Sequence, residues 1–128
     1  MGIERSNPSF TLDVNGLIRG NNVAVSSDAR FKQDIATIEN SIGVLNNLRG
    51  TTYRMRKDAD FGEGEFDFGD DMESGFIAQE IEEILPHLVY TDEQGYKAVN
   101  YMGVIPYLVE GVKQVNGEVK EELAAIRL

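Results

Sequence analysis

Cysteine is absent from the 128 residues, which excludes disulfide bridges, a thiolate nucleophile and cysteine-ligated zinc. Histidine occurs once, at His87, so a multi-histidine metal site is excluded. Its place directly after Pro86, in what reads as a loop before a strand, suits a structural or surface role better than catalysis. Basic residues are few and scattered, 12 against 22 acidic ones, for a net charge of -10. A phosphate-binding face needs clustered Lys and Arg, so nucleic acid is not expected as a partner. No apolar run approaches the length of a membrane span and no basic-then-apolar leader opens the chain, so neither a membrane partner nor an export signal of its own is expected. A phosphate-cradling glycine loop of the P-loop type is missing as well, and no cofactor or metal is expected.

What is present suffices for one core. Hydrophobic residues make up 41% of the chain, ordinary for a globular domain of a size that supports a single core rather than two. Thirteen glycines and several polar runs point to sizeable loops. Phe10, Leu12 and Val14 alternate with polar residues over positions 9–14, the period of a half-buried strand, and Asn15-Gly16 marks a tight turn. Leu17-Ile18 and Val23-Ala24-Val25, separated by Gly20-Asn21-Asn22, predict two more short strand pieces. Three pieces this small cannot bury their own faces. They are expected to continue an upstream β structure or to pair with copies of themselves, and Met1 reads as standing before the middle of a longer protein.

Beyond residue 32 the pattern predicts a compact mixture. Asp34 is a credible cap for a helix carrying Ile35, Ile38, Ile42, Leu45 and Leu48 and ending before Gly50. Positions 51–56 read as a strand packed on that helix. Residues 58–73 hold eight carboxylates interleaved with glycines and with Phe61, Phe66 and Phe68. The glycine and closing glutamate do not fall where an EF-hand loop needs them, so a solvated loop or arm is expected, its phenylalanines lying against a partner surface. Positions 75–78 predict a short strand and 79–85 a short helix stopped by Pro86. Leu88-Val89-Tyr90 and Tyr96 to Val99 predict a hairpin around Asp92 to Gly95. Finally Ile105, Leu108, Val112, Val115, Val119 and Ile126 recur at alternating three- and four-residue steps, a heptad seam interrupted only at Glu122, with Leu123 beside the gap. Gly111 and Asn116-Gly117 weaken that helix, and a break near Gly117 is one reading. The fold class is therefore α+β with a long C-terminal helix.

Chemistry concentrates at Ser26-Ser27-Asp28-Ala29-Arg30-Phe31-Lys32. Ser27 offers a hydroxyl nucleophile, Lys32 an amine five residues later, and Arg30 a guanidinium between them, and a serine with a lysine base is a route to peptide-bond chemistry that needs no histidine. A lysine at its ordinary pKa of about 10.4 is neutral in roughly one molecule in 2,500 at pH 7. Burial or a neighbouring cation has to bring that value down by about three, at about 4 kcal/mol, before the amine accepts a proton. The residues alone equally permit capping serines and a solvated lysine.

Three landmarks in order resemble one family: Ser27-Asp28-x-Arg30-x-Lys32; Gly75-Phe76-Ile77-Ala78-Gln79-Glu80 running to Leu85-Pro86-x-Leu88-Val89; and Val99-Asn100-Tyr101 followed by the apolar-periodic C-terminus. The resemblance is to the C-terminal intramolecular chaperone, or self-cleaving peptidase, domain of phage endosialidases, tail spikes, tail fibres and neck appendages, and it covers residues 25–128. It implies a homotrimer held by the C-terminal seam, with residues 1–26 as the end of a trimeric β stalk and 27–128 as the chaperone released from it. It implies assembly of a virion appendage in the host cytoplasm and absence of the domain from the mature particle. Ser27 would be the nucleophile, the bond between Ser26 and Ser27 the cleavage site, and Lys32 the base. Asp28 would orient the amine, stabilise the turn, or replace Lys32 as the acid-base group. Arg30 would either stabilise a developing oxyanion or lower the pKa of Lys32, and the sequence does not choose. A permanent trimerisation module and a receptor-binding fibre tip remain alternatives.

Overall fold

The computed structural model describes residues 1–14, 16–56 and 71–127. In chain order its regular elements are β1 (Gly2–Ile3), β2 (Asp13–Val14), a 3-10 turn at Ala29–Phe31, α1 (Ser41–Leu45), β3 (Thr51–Tyr53), β4 (Glu73–Gly75), α2 (Ala78–Ile84), a 3-10 turn at Pro86–Leu88, β5 (Val89–Thr91), β6 (Lys97–Val99), a 3-10 turn at Tyr101–Val104 and α3 (Ile105–Ile126). The class is α+β, as the pattern predicts. Among the described residues the strands make three two-stranded ribbons rather than one sheet.

The core is built where apolar spacing meets chain reversal. Ile81 and Leu85 of the α2 region, Leu88 and Val104 are the buried hydrophobic residues, and Val44, Leu48, Phe76, Ile84, Val89, Val99 and Tyr107 pack around them. Pro86 supplies the reversal: it cannot continue α2, but its fixed φ opens the next 3-10 turn. The expected hairpin follows, with Val89 opposite Val99 and Thr91 opposite Lys97. Its loop is held by the Asp92 carboxylate, which accepts from the Gln94 and Tyr96 amides at 3.0 and 2.9 Å, while Gly95 takes the left-handed φ of 89° that the turn requires.

Two expectations are corrected here. The helix predicted from Asp34 to Leu48 shrinks to the five residues of α1, because two polar residues on its N-terminal side turn left-handed, Asp34 at φ 56° and Asn40 at φ 49°. Asp and Asn visit that region more readily than other side chains, so Asp34 breaks the helix instead of capping it and Ile35 is left exposed. Nor does the strand at 51–56 pack on that helix. It is regular only over Thr51–Tyr53 and pairs antiparallel with β4, Thr51 opposite Gly75, while α1 lies against α3.

The N-terminal strands are corrected as well. Val14 does lie in a strand, but β2 has two residues and its partner is β1, in parallel register. Asp13 organises that pairing, taking the Ser9 amide at 2.9 Å and facing Arg5 at 3.1 Å. Leu17-Ile18 and Val23 to Val25 form no strand and stand exposed, as expected of short pieces without a partner. Most of the acidic 58–73 stretch, including Phe61, Phe66 and Phe68, lies outside the described residues.

α3 runs unbroken through Gly117 for 22 residues, about 33 Å at 1.5 Å per residue. Among the described residues, only its first half touches the rest of the domain. Ser41, buried at the start of α1, donates its hydroxyl to the Tyr107 carbonyl at 2.5 Å, and the Ile42 amide donates to Gln114 Oε1 at 3.2 Å. Between these bonds lies Gly111, buried, where a Cβ would stand 2.5 Å from Leu45 Cδ1. Arg49, just past α1, adds a forked ion pair to Glu80 in the first turn of α2, at 3.0 and 2.6 Å. The Arg49 hydrogen bond lowers the Glu80 pKa, against an opposing effect of burial.

The two glycines of α3 predict opposite outcomes. Gly111→Val overpacks the α1 contact and lowers stability by about 1–3 kcal/mol. Gly117→Ala, at a position with nothing within 4 Å, raises it by about 1 kcal/mol through helix propensity. Thermal unfolding followed by circular dichroism separates the two, and equal shifts would contradict the packing described.

Candidate active site

The turn after Ser27 is a local construction. Asp28 sits at the N-cap of the Ala29–Phe31 turn in extended conformation, and its Oδ1 accepts the Arg30 amide at 2.9 Å. The Phe31 amide returns to the Asp28 carbonyl at 3.0 Å and the Lys32 amide to the Ala29 carbonyl at 3.1 Å. One tight turn therefore folds the chain back on itself. It brings Lys32 Nζ to 2.6 Å from Ser27 Oγ.

That contact joins the candidate nucleophile to the candidate base, at the distance a proton transfer requires. Ser27, not the adjacent Ser26, receives the lysine hydrogen bond. Asp28 and Arg30 form a separate pair: Arg30 Nε and Nη2 donate to Asp28 Oδ1 and Oδ2 at 3.1 and 2.8 Å. This forked hydrogen bonding, with the Arg30 amide second, lowers the Asp28 pKa, and Asp28 in turn raises that of Arg30. Because the carboxylate value is depressed, the fork is complete above the ordinary carboxylate range and is lost as pH falls through the lowered value. Of the three tasks the resemblance leaves to Asp28, stabilising the turn has a hydrogen bond behind it, while its side-chain partner is Arg30 rather than the amine.

The turn is open to solvent. Phe31 is 80% exposed, and Val25 and Ile35 on either side are exposed too. The other candidates lie elsewhere. Ile105, Leu108, Val112, Val115, Val119 and Ile126 form one outward row along α3, each about half exposed or more, with Leu123 beside them. Val104, Tyr107, Gly111 and Gln114, each one residue earlier than a seam position, form the row that faces the domain. His87 lies in the 3-10 turn after α2 with Nε2 3.4 Å from the Tyr107 hydroxyl. Among the described residues no cluster of three metal-ligating side chains occurs, and no helix is long and apolar enough to cross a membrane.

Sequence reasoning missed the exclusive pairing of Arg30 with Asp28 and the contact row on α3. The spacing Ser-Asp-x-Arg carries the first signal, since an Asp before a turn accepts an amide two residues on. The second was visible as a stripe one residue out of phase with the seam, hidden by its glycine and glutamine.

The model of a peptidase family described as "Chaperone of endosialidase" matches residues 27–90, half of the chain. Long tail fiber protein Gp37 of Salmonella phage S16 is 34% identical over 119 residues, 88% of this chain and 15% of that protein. The protein of the same name from Escherichia phage AR1 is 39% identical over 85 residues, 65% of this chain and 7% of that one. Myelin gene regulatory factor-like A of Dictyostelium discoideum is 28% identical over 130 aligned residues, covering 99% of this chain and 12% of its own length. The chain thus spans a small fraction of each of these relatives. The family match opens on Ser27 itself and takes in the Ser27–Lys32 turn, α1 and α2. This chain belongs to the chaperone of endosialidase family.

Proposed function

We propose that the chain is an intramolecular chaperone of a phage tail fibre or spike, which trimerises, holds the preceding chains while they wind into a β stalk, and is released by its own cleavage between Ser26 and Ser27. The observation that carries the reading is the 2.6 Å approach of Lys32 Nζ to Ser27 Oγ. Family membership and the tail fiber relatives support the setting. On this reading residues 1–26 are the end of the stalk and 27–128 the released domain.

The Ser27–Lys32 contact supports an amide-to-ester shift. Neutral Lys32 takes the proton of the Ser27 hydroxyl as Oγ attacks the Ser26 carbonyl carbon. A C–O bond forms, the Ser26–Ser27 C–N bond breaks, and the proton passes to the departing Ser27 amine, leaving an ester. Water then hydrolyses the ester, restoring the hydroxyl and leaving Ser26 as a carboxylate. Both residues belong to one turn, so the reaction is intramolecular and runs once per chain.

The exposed surface supports the assembly half. An intertwined stalk requires contacts among three chains before any one of them is rewarded, so its nucleation is slow and aggregation-prone. A trimerising helix raises the local concentration of the three chains to about millimolar. The outward row from Ile105 to Ile126, with β-branched residues at each first position of the heptad, suits that task. Leu17, Ile18, Val23 and Val25, bare in the single chain, are the residues a stalk would bury. Covering Phe31 and Ile35 at the same time would dry the Ser27–Lys32 turn, which an amine base needs. Removal of the clamp then leaves a stalk unable to retrace its folding route.

Two measurements test the halves separately. Intact-mass spectrometry of the chain, fused behind a stalk-forming segment, is expected to show a fragment beginning at Ser27. Ser27→Ala and Lys32→Ala each slow its appearance by at least about a hundredfold. An uncut trimer would instead mark a permanent trimerisation module. Sedimentation equilibrium is expected to give a trimer that Val112→Asp with Val115→Asp weakens by at least about a hundredfold, because carboxylates are costly in a buried seam. A monomeric parent chain, or a trimer indifferent to both changes, removes the seam from the reading.

A further inference from the structure

Within residues 27–32 there is one anion, Asp28, and two cations, Arg30 and Lys32. The cations divide their partners cleanly. Arg30 occupies both Asp28 oxygens, at 3.1 and 2.8 Å, while the Lys32 ammonium turns to Ser27 Oγ at 2.6 Å. The division has a physical cause. A planar guanidinium matches two carboxylate oxygens at once, whereas an ammonium binds as a point charge and gains nothing from the fork. The third bond to the carboxylate, from the Arg30 amide at 2.9 Å, aims it along the same side of the turn.

We propose that Arg30 is a positioning residue for the Ser27–Lys32 pair: by holding the Asp28 carboxylate it withholds from Lys32 the one anion on its own turn, leaving the amine directed at Ser27 and able to give up its proton. The inference rests on the self-cleavage reading above. A base lysine must be neutral when it acts, and a carboxylate partner stabilises the protonated form, by about tenfold or more in population. Asp28 is thus useful to the turn as a cap and harmful to the base as a charge, and Arg30 separates the two effects. The charged residues nearest Lys32 along the chain are Arg30 and Asp28 on the turn and Asp34 just beyond it. The hydrogen bonds that build the turn all run within residues 27–32.

The test is the pH profile of cleavage after refolding, in the chain carrying an upstream stalk, for the wild type, Arg30→Gln, Arg30→Lys and the double variant Asp28→Asn with Arg30→Gln. Arg30→Gln is expected to slow cleavage about tenfold at neutral pH and to approach the wild-type rate in alkali, where a carboxylate no longer holds the amine charged. Arg30→Lys falls between. The double variant recovers the neutral rate, since asparagine still caps the turn without the charge. Equal slowing at every pH, with no recovery in the double variant, would mean that Arg30 merely braces the turn and overturns the proposal, as would a rate indifferent to Arg30. A crystal structure of Arg30→Gln gives a readout independent of rate: Lys32 Nζ is expected on the Asp28 carboxylate, and its remaining on Ser27 overturns the proposal. A wild-type chain that never cleaves removes the dyad reading first, and with it any reaction for Arg30 to assist.

Discussion

The close approach of α1 to α3 at Gly111 is the contact on which the rest of the arrangement turns. Helices pack by fitting side-chain ridges into grooves, and at this crossing the groove is made by a missing Cβ, into which Leu45 reaches. The bonds from Ser41 to the Tyr107 carbonyl and from the Ile42 amide to Gln114 lie on either side of it. Together they set the rotation of α3 about its own axis. With Val104, Tyr107, Gly111 and Gln114 turned inward, the stripe one residue later, from Ile105 through Val115, has to face out. A helix rotated by one residue would turn that stripe toward its own domain.

The site obeys a different logic, because it is made almost entirely of its own six residues. Asp28 caps the turn, the turn sets the five-residue return from Ser27 to Lys32, and Arg30 takes up the charge that capping introduces. Such a site forms without the core. What it lacks in the single chain is dryness: the Arg30 side chain is 86% exposed and Phe31 stands in solvent. On the proposed reading the missing environment comes from the stalk and the neighbouring copies, so that local geometry waits on assembly. On that reading a reaction that breaks the chain would be withheld until the chain has been used.

Particular residues show where the sequence was legible. Pro86 stopped α2 and Asp92 to Gly95 closed the hairpin as expected, since both act through backbone rules confined to a few residues. The Ser27–Lys32 pairing was legible for the same reason. The helix from Asp34 was not, because its apolar spacing was sound while two polar residues went left-handed, a choice between near-equal local states that packing of α1 on α3 decides. Gly117 was read as a possible break, yet 22 residues of helix carry it, the loss at one glycine being small against the whole.

What the sequence determined by itself is therefore whatever depends on neighbours in the chain: the α+β class, the turn that carries Ser27, Asp28, Arg30 and Lys32, the hairpin, and a seam with a period of seven. What the tertiary structure decided is which way those elements face. The inward row on α3 holds a tyrosine, a glycine and a glutamine, none of which announces a packing face by hydrophobicity. Their role exists only once Ser41, Ile42 and Leu45 arrive from far along the chain. Periodicity states that a helix has faces, and only the partner packed against it settles which of them remains free.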